Sequence, residues 1–560
     1  MSSSKIKVNQ YAFTMDSVNA LTNNAFMKNW PIVYVLNDDH NVYIGETSNA
    51  ITRMQTHLKS DDKNYLKQMN IITDEEFHKS ATLHLESLLI EYMSADTHFD
   101  TIINGNTGQS HMYFQKDHYA HKFEELWSIL KKKHLANERI DQIRNKDLFK
   151  FSPYKSLTED QFGTVDVILQ DLAQRTKHQE PQTYLIQGEA GTGKTVLAIY
   201  LVKLLTDLFA DRLSLEGFAS EEVNALKTLK QENRSLKVGF VVPMSSLRRT
   251  IRNVFKDIQG LQANMVITPS QATKENFDIL IVDEAHRLKR RKNLTGYGAF
   301  DATNKRLGLD DNGTELDWIM KSSKYQILFY DKNQSVRPTD VRHDEFKKII
   351  NREDHLDLFL FSQMRVIGGD VYVKYIKDIF NNNHPKPKEF DAYDVCLFDD
   401  IDIMIQAIKS KNEELGLCRT VSGYAWDWVS KKDQSKHDIT IDNHSYIWNT
   451  VNEDWVNSKN SINEIGCIHT IQGYDLNYAA IILGEDIKYD PVLQKIYTDK
   501  QNFYDKKAKA GVTSDKEIAS YIINAYITML TRGIRGTYLY VCDKNLREYL
   551  ATFFPTYINK

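Results

Sequence analysis

Residues 188–195 read GEAGTGKT, three glycines leading into a lysine and a threonine. Glycine at Gly188, Gly191 and Gly193 lets a backbone curl until successive N–H groups face the oxygens of a phosphate. Lys194 would then reach the β- and γ-phosphates of a nucleotide, and Thr195 would ligate the accompanying Mg²⁺. Further on, FDILIVDEAHRL (277–288) sets two carboxylates behind an apolar run. The run 279–282 belongs in a sheet, so Asp283 emerges at the C-terminal end of a strand, where open α/β sheets bind ligands. Asp283 can hold Mg²⁺ through water, and Glu284 can orient and deprotonate an attacking water. The two segments together spell the hydrolysis of a nucleoside triphosphate such as ATP.

The elements that must position these groups are legible around them. TYLIQ ahead of the glycines reads as a strand, and VLAIYLVKLLTDLF behind them as an apolar helix. From Tyr154 on, short apolar runs (TYLIQG, KVGFVVP, FDILIVDEA, KYQILFYD) alternate with longer helical stretches. Runs apolar on both faces predict a parallel sheet with crossover helices. After Arg365 the alternation resumes (CRTVSGYAW, EIGCIHTIQG, AAIILG, TYLYVCD), which predicts a second such domain. The charged stretches 206–236, 288–324 and 486–517 read as helical or loop insertions, and HRLKRRK (286–292) as exposed. Arg249, Arg252 and Lys256 are spaced to share one helix face, able either to contact nucleic-acid phosphates or to be a solvated basic face. Trp426 and Trp428 alternate as strand residues do, one suited to stack on a base unless both pack in the core.

The stretch from Tyr154 to Cys542 resembles a superfamily 1 helicase motor, motif by motif and in order. LTEDQ (157–161) resembles the Q-motif, VVPMSSLRR (241–249) motif Ia, and DEAH (283–286) motif II. DKNQSVRP (331–338) resembles motif III, FSQMR (361–365) motif IV, IHTIQGYD (468–475) motif V, and MLTRGIRG (529–536) motif VI. SGYAWDW (422–428) and CIHTIQGYD are similar to the Schlafen-type DNA/RNA helicase-like domain family. The resemblance implies two RecA-like lobes with ATP in the cleft between them. It implies that Gln161 reads the adenine edge, that Gln334 is coupled to the γ-phosphate, and that Arg365 and Arg532 close on it as arginine fingers.

Residues 32–45, IVYVLNDDHNVYIG, predict two strands joined by an acidic turn. A helix comes next over 52–58 with Arg53 and His57 on one face, then a helix HLESLLIEYM bearing Glu86, then NGN at 104–106. Residues 31–106 resemble the GIY-YIG nuclease family. YIG is intact as Tyr43-Ile44-Gly45, whereas Ile32 stands where the family has the first glycine, which puts the hairpin geometry in question. The resemblance implies Tyr34 as general base or water-positioning hydroxyl with Tyr43 beside it, and Arg53 on the scissile phosphate. It implies Glu86 as ligand to Mg²⁺ or Mn²⁺ and Asn104 as a brace; His57 fits a capping or packing role equally well. Phosphodiester hydrolysis needs an activated water, a Lewis acid and a cation on the phosphate, which this set supplies.

At 560 residues the chain has room for three to five domains. The motifs divide it into an α/β GIY-YIG-like domain (1–115), a helical linker (116–150), a first RecA-like lobe (151–350) and a second (351–560). The net charge of −4 excludes a basic coat, so nucleic acid must be met in local grooves. Four scattered cysteines fit no zinc or redox spacing, and neither a signal core nor a membrane-length apolar run is visible. The expectation is a cytoplasmic ATP-driven motor coupled to a metal-dependent endonuclease, acting on DNA ahead of RNA in defence, restriction or repair. The alternative is a nucleotide-gated sensor or clamp whose N-terminal module binds without cutting.

Overall fold

The computed structural model describes residues 6–104, 113–215, 218–233, 235–335, 337–363, 366–433, 435–510, 512 and 514–558. The chain packs as two compact units, Met1–Glu180 with Ile199–Ser235 and Val254–Leu261, and Pro181–Ala198 with Leu236–Asn253 and Gln262–Lys560.

In the first unit, β1 (Lys7–Ala12), β2 (Ile32–Asn37), β3 (Asn41–Thr47), β4 (Gln68–Thr73) and β5 (Thr101–Ile102) form a mixed sheet in the order β1-β4-β2-β3-β5. The β2–β3 hairpin turns where the Asp38 carboxylate accepts the N–H groups of His40 and Asn41. Ile32 is fully buried and pairs with Thr47, so the hairpin closes without a glycine at that position. β2 is buried along its whole length because IVYVL offers apolar side chains to both faces. The helices of this unit include α1 (Ala50–Leu58), α2 (Lys79–Asp96), α3 (Lys116–Lys132) and α4 (Glu159–His178). α3 lies within the stretch read as a linker, and its Tyr119, Phe123, Leu126, Trp127 and Leu130 make one buried stripe.

The second unit holds two parallel sheets, as two RecA-like lobes require. β6 (Gln182–Gly188), β7 (Val238–Val241), β8 (Val266–Ile267), β9 (Phe277–Val282), β10 (Ser323–Tyr330) and β11 (His355–Leu360) form the first, in the order β11-β6-β10-β9-β7-β8. Its edge strand β11 begins after residue 350. α5 (Lys194–Phe209) comes after β6, and α6 (Ser245–Lys256) after β7.

α7 (Gly369–Phe380) leads into the second half, which contains β12 (Asp394–Phe398), β13 (Cys418–Ser422), the hairpin β14 (Ile439–Ile441) and β15 (His444–Tyr446), and β16 (Ile465–Cys467). β17 (Leu476–Leu483), the hairpin β18 (Ile487–Asp490) and β19 (Lys495–Thr498), and β20 (Gly533–Val541) complete it. The parallel sheet runs β12-β20-β17-β13-β16. Ala479, Ile481 and Leu483 of β17 enter one core and Tyr478, Ala480 and Ile482 another, so the sheet is covered on both faces.

Three expectations are corrected. The charged stretch 486–517 contains an antiparallel hairpin, β18–β19, rather than helix and loop alone. Trp426 and Trp428 lie outside any strand, half-buried against the second sheet's core. His286, Arg287 and Leu288 are buried, and exposure in HRLKRRK begins only at Lys289.

Candidate active sites

The glycine loop spans the end of β6 and the start of α5, as its sequence context predicted. Gly191 and Gly193 have φ of 90° and 74°, a region that L side chains rarely enter. Lys194 is buried, and its Nζ donates to the carbonyls of Gly188 and Glu189, both at 2.7 Å. The Thr195 hydroxyl donates to Asp283 Oδ2 at 2.8 Å. Asp283 directly follows β9 with no exposed surface, and its Oδ1 accepts the Glu284 N–H.

Glu284 takes a left-handed backbone conformation (φ 50°) and turns its carboxylate to His286, Oε2 to Nε2 2.8 Å. The Asp331 N–H donates to His286 Nδ1 at 3.3 Å, which assigns the ring proton to Nε2, facing Glu284. Asp331 Oδ2 accepts from Gln334 Nε2 at 2.7 Å and stands 3.8 Å from Lys194 Nζ. Gln334 Oε1 in turn accepts from Arg532 Nη2 at 3.3 Å, and Arg532 Nη1 donates to the Tyr474 carbonyl at 3.4 Å. Arg532 is 1% exposed. Lys194, Asp331, Gln334 and Arg532 thus form one polar chain with Glu284. Burial, then the charge of Glu284, drives the Asp283 carboxyl up. Burial pushes Glu284 up too, but His286, Lys194 and Arg532 outweigh it and hold that carboxyl down. Arg365 lies outside the described residues. Gln161 sits in α4 of the first unit, fully buried, with its Oε1 accepting the Thr158 N–H at 3.0 Å.

The next residues along the same two loops face elsewhere. Arg287 donates to Asp340 Oδ2 at 2.6 Å, as does the Arg337 N–H at 3.1 Å, and Arg337 Nε reaches His469 Nε2 at 3.2 Å. These groups line a groove of about 680 Å³ to which Arg248, Lys289, Lys431 and Lys432 add further cations. Tyr424, Trp426 and Trp428 supply aromatic faces to it, with Lys431 Nζ 5.3 Å from the Trp428 ring centre. Of the helix α6 arginines, it is Arg248 that lines the groove. Arg249 faces Glu453 at 3.5 Å, Lys256 is exposed, and Arg252 donates its Nε to the Val266 carbonyl at 2.9 Å. Arg248 likewise donates from Nη1 to the Val242 and Pro243 carbonyls, at 2.8 and 3.2 Å, so a helix face fixed by spacing does not fix which arginine also caps a neighbouring strand. No sequence signal separated Arg248 from Arg249.

In the first unit, Tyr34 and Tyr43 project from β2 and β3 with ring centres 6.2 Å apart. Gly45 opposes Tyr34, and a Cβ there would stand 2.2 Å from the Tyr34 hydroxyl, so that glycine makes room for the phenol. His57 Nε2 stands 2.8 Å from the Tyr34 hydroxyl, and Arg53 Nε donates to the same oxygen at 3.2 Å. Burial, then Arg53 and Lys63, lowers His57 to about 3. The ring is therefore neutral, and the Tyr34 O–H donates to it. Burial raises Tyr34 to about 12 against the pull of Arg53, and raises Tyr43 as well. Glu86 is lifted to about 8 by burial and then by Glu46, opposed by Lys79. Lys79 pairs with Glu46. Asn104 pins β3 from both sides, Nδ2 to the Ile44 carbonyl at 2.7 Å and Oδ1 to the Ile44 N–H at 3.0 Å. Tyr34, Tyr43, Arg53, His57 and Glu86 form one interacting cluster. Sequence reasoning missed Lys63, 4% exposed with Nζ 4.5 Å from the Tyr43 ring centre, and Glu46. Among the described residues no group of three or more His, Cys, Asp or Glu is arranged to hold a metal.

Comparison with known proteins gives the chain its relatives. An uncharacterized protein of Saccharomyces cerevisiae is 29% identical over 411 residues, which cover 66% of this chain and 84% of that one. Among solved structures, the DEAD-box helicase Mss116 bound to ssRNA and UDP-BeF aligns at 12% identity and a TM-score of 0.31, covering 72% of this chain and 79% of that one. The Escherichia coli DEAH/RHA helicase HrpB aligns at 12% identity and a TM-score of 0.24, covering 70% and 44%. At those scores neither likeness bears on the reading of the sites. The profile of the Schlafen group 3 DNA/RNA helicase domain matches residues 181–543, both parallel sheets and every group of the phosphate site described in the second unit. The chain belongs to the Schlafen group 3 DNA/RNA helicase domain family.

Proposed function

We propose that this chain is an ATP-dependent nucleic-acid motor coupled to a divalent-metal-dependent endonuclease of the GIY-YIG kind, with DNA the expected substrate and defence, restriction or repair the expected setting. The nuclease reading takes residues 1–115, the linker 116–150, and the two lobes 151–350 and 351–560. The observation that carries the motor reading is the polar chain from Glu284 through His286, Asp331 and Gln334 to Arg532. It joins the residue suited to activate water on the first sheet to a cation beside the second.

The Thr195 hydroxyl and Asp283 carboxylate are hard oxygen donors facing one another, which fits Mg²⁺, and they are the residues that would hold it. Bound there, Mg²⁺ supplies charge neutralisation on the phosphate oxygens. Lys194 and the loop N–H groups bind the phosphates; Glu284, kept ionised and aimed by His286, takes the proton of the attacking water; Arg532 meets the charge that develops. Arg287 and Arg337, beside these groups in sequence, line the groove, so nucleotide state and groove shape are linked through two short loops. The groove's cations suit phosphates and its aromatic rings suit unstacked bases.

In the first unit the Glu86 carboxyl is buried near Glu46, with Lys79 and Arg53 opposing the pair, and a divalent cation would add to that opposition. Glu86 would hold Mg²⁺ or Mn²⁺, which supplies a Lewis acid to the scissile phosphate. Arg53 binds that phosphate, and Tyr34, hydrogen-bonded to neutral His57, positions the water. ATPase activity is expected to rise with single-stranded nucleic acid, and cleavage to require Mg²⁺ or Mn²⁺. Glu86→Ala should abolish cleavage and leave the ATPase intact. Normal cutting by Glu86→Ala refutes the nuclease assignment, an ATPase indifferent to all nucleic acids refutes the motor, and stimulated ATPase without cleavage by the wild type points to the sensor.

A further inference from the structure

The phosphate loop is touched from outside by two side chains with no assigned role: Gln363, within FSQMR but two residues before its arginine, and Lys377, which lies in none of the motifs. Gln363, between β11 and α7, donates its Nε2 to the Ala190 carbonyl at 2.8 Å. Lys377, on α7, pairs with Glu189 at 2.5 Å. Glu189 and Ala190 are two of the four positions of GEAGTGKT that the phosphate-loop pattern leaves open, so the pattern itself says nothing about them. Gly191 is shaped for the contact: a Cβ there would lie 1.8 Å from Gln363 Oε1, a collision separate from the backbone requirement of its φ of 90°.

The Gly188 and Glu189 carbonyls turn to Lys194, whereas the Ala190 carbonyl turns away to Gln363, which leaves the N–H of the same peptide on the opposite side, where a cradled phosphate would lie. A donor held against an outward carbonyl keeps the peptide plane turned with its N–H toward the ligand. Gln363 supplies that donor, and Lys377 holds the neighbouring residue by its side chain. Both donors belong to the segment that leads from the first sheet into the second lobe. Lys377 is three-quarters buried on α7, so its reach to Glu189 is set by that helix rather than by a free surface chain.

We propose that Gln363 and Lys377 are positioning residues for nucleotide binding: a brace from the second lobe that keeps the phosphate loop in its binding shape and makes ATP affinity depend on the docking of that lobe. This rests on the motor reading. By reciprocity, bound ATP strengthens the docking by the same factor.

The test is calorimetric titration of the full chain with ATP and Mg²⁺, together with steady-state ATPase. Glu189→Lys and Lys377→Glu should each weaken ATP binding about threefold, the size of a partly exposed ion pair. The double variant E189K/K377E should restore it, which a merely structural role for either residue would not do. Gln363→Leu, which keeps the size and removes the donor, should raise the KM for ATP about fivefold with kcat little changed. Singles that bind like the wild type, or a double variant as weak as the two losses combined, overturn the brace while leaving the motor reading standing. A wild type that binds no ATP, like Lys194→Ala, overturns both.

Discussion

His286 stands between Glu284, whose Oε2 lies 2.8 Å from Nε2, and the Asp331 N–H, which donates to Nδ1. On the motor reading Glu284 takes a proton from water, which needs its carboxylate aimed, and it sits on a left-handed backbone with that ring beside it. Removing the ring therefore loosens the aim without touching the phosphates. His286→Ala is expected to lower kcat about tenfold or more with the KM for ATP nearly unchanged, and Glu284→Gln to cost about 10² or more in kcat. Steady-state kinetics decide: a rise in KM with kcat preserved would assign His286 to binding instead. The same logic separates Arg532 from an ordinary surface cation. It is buried, and it contacts Gln334 and the Tyr474 carbonyl through two different nitrogens, a fork that a lysine cannot reproduce.

At the scale of elements, the hairpin β2–β3 and the helices α1 and α2 of the first unit bury titratable groups in opposed senses. His57 stays neutral in the folded protein down to about pH 3, whereas an unfolded histidine takes its proton near 6.5. Its contribution to stability is lost as the pH falls from about 6.5 toward 3. Glu86 behaves inversely: its folded carboxyl titrates near 8 and an unfolded one near 4.5, so stability is lost as the pH rises through that window. Each slope approaches about 1.4 kcal/mol per pH unit. Hydrogen exchange over residues 32–58 of the full chain should therefore slow to a minimum between two arms. Glu86→Gln should erase the alkaline arm and spare the acid arm, and Mg²⁺ or Mn²⁺ should protect the wild type at pH 8 but not Glu86→Gln. Equal protection of both by the ions would place the metal elsewhere. Much of this arrangement was legible beforehand. The glycine loop, Asp283 with Glu284, and the strands around them could be read because the chemistry fixes residue type, order and flanking element at once. Arg248 could not be told from Arg249, because helical spacing gives a face but not the strand that competes for it. Lys63 was invisible because nothing in a sequence says that a lysine head will lie over a ring. The β18–β19 hairpin hid in a charged stretch because one exposed face leaves only alternate residues apolar.

For the molecule as a whole, a net charge of −4 coexists with a groove of concentrated positive charge, so binding should be local and its salt dependence set by few contacts. Arg248→Ala is expected to weaken single-strand binding and to flatten the plot of log affinity against log salt by about 0.7, the loss of one phosphate contact. An unchanged slope would remove Arg248 from the strand's path. Among the described residues no helix is long and apolar enough to cross a membrane. β20, the last strand in sequence, lies between β12 and β17 rather than at an edge of the second sheet, and Arg532 immediately precedes it. A chain cut anywhere before residue 533 forfeits the middle of the sheet, leaving β12 with no partner and two hydrophobic cores open. Truncation is therefore expected to yield no half-folded lobe: it either completes itself with Arg532 in place or becomes a substrate for proteolysis.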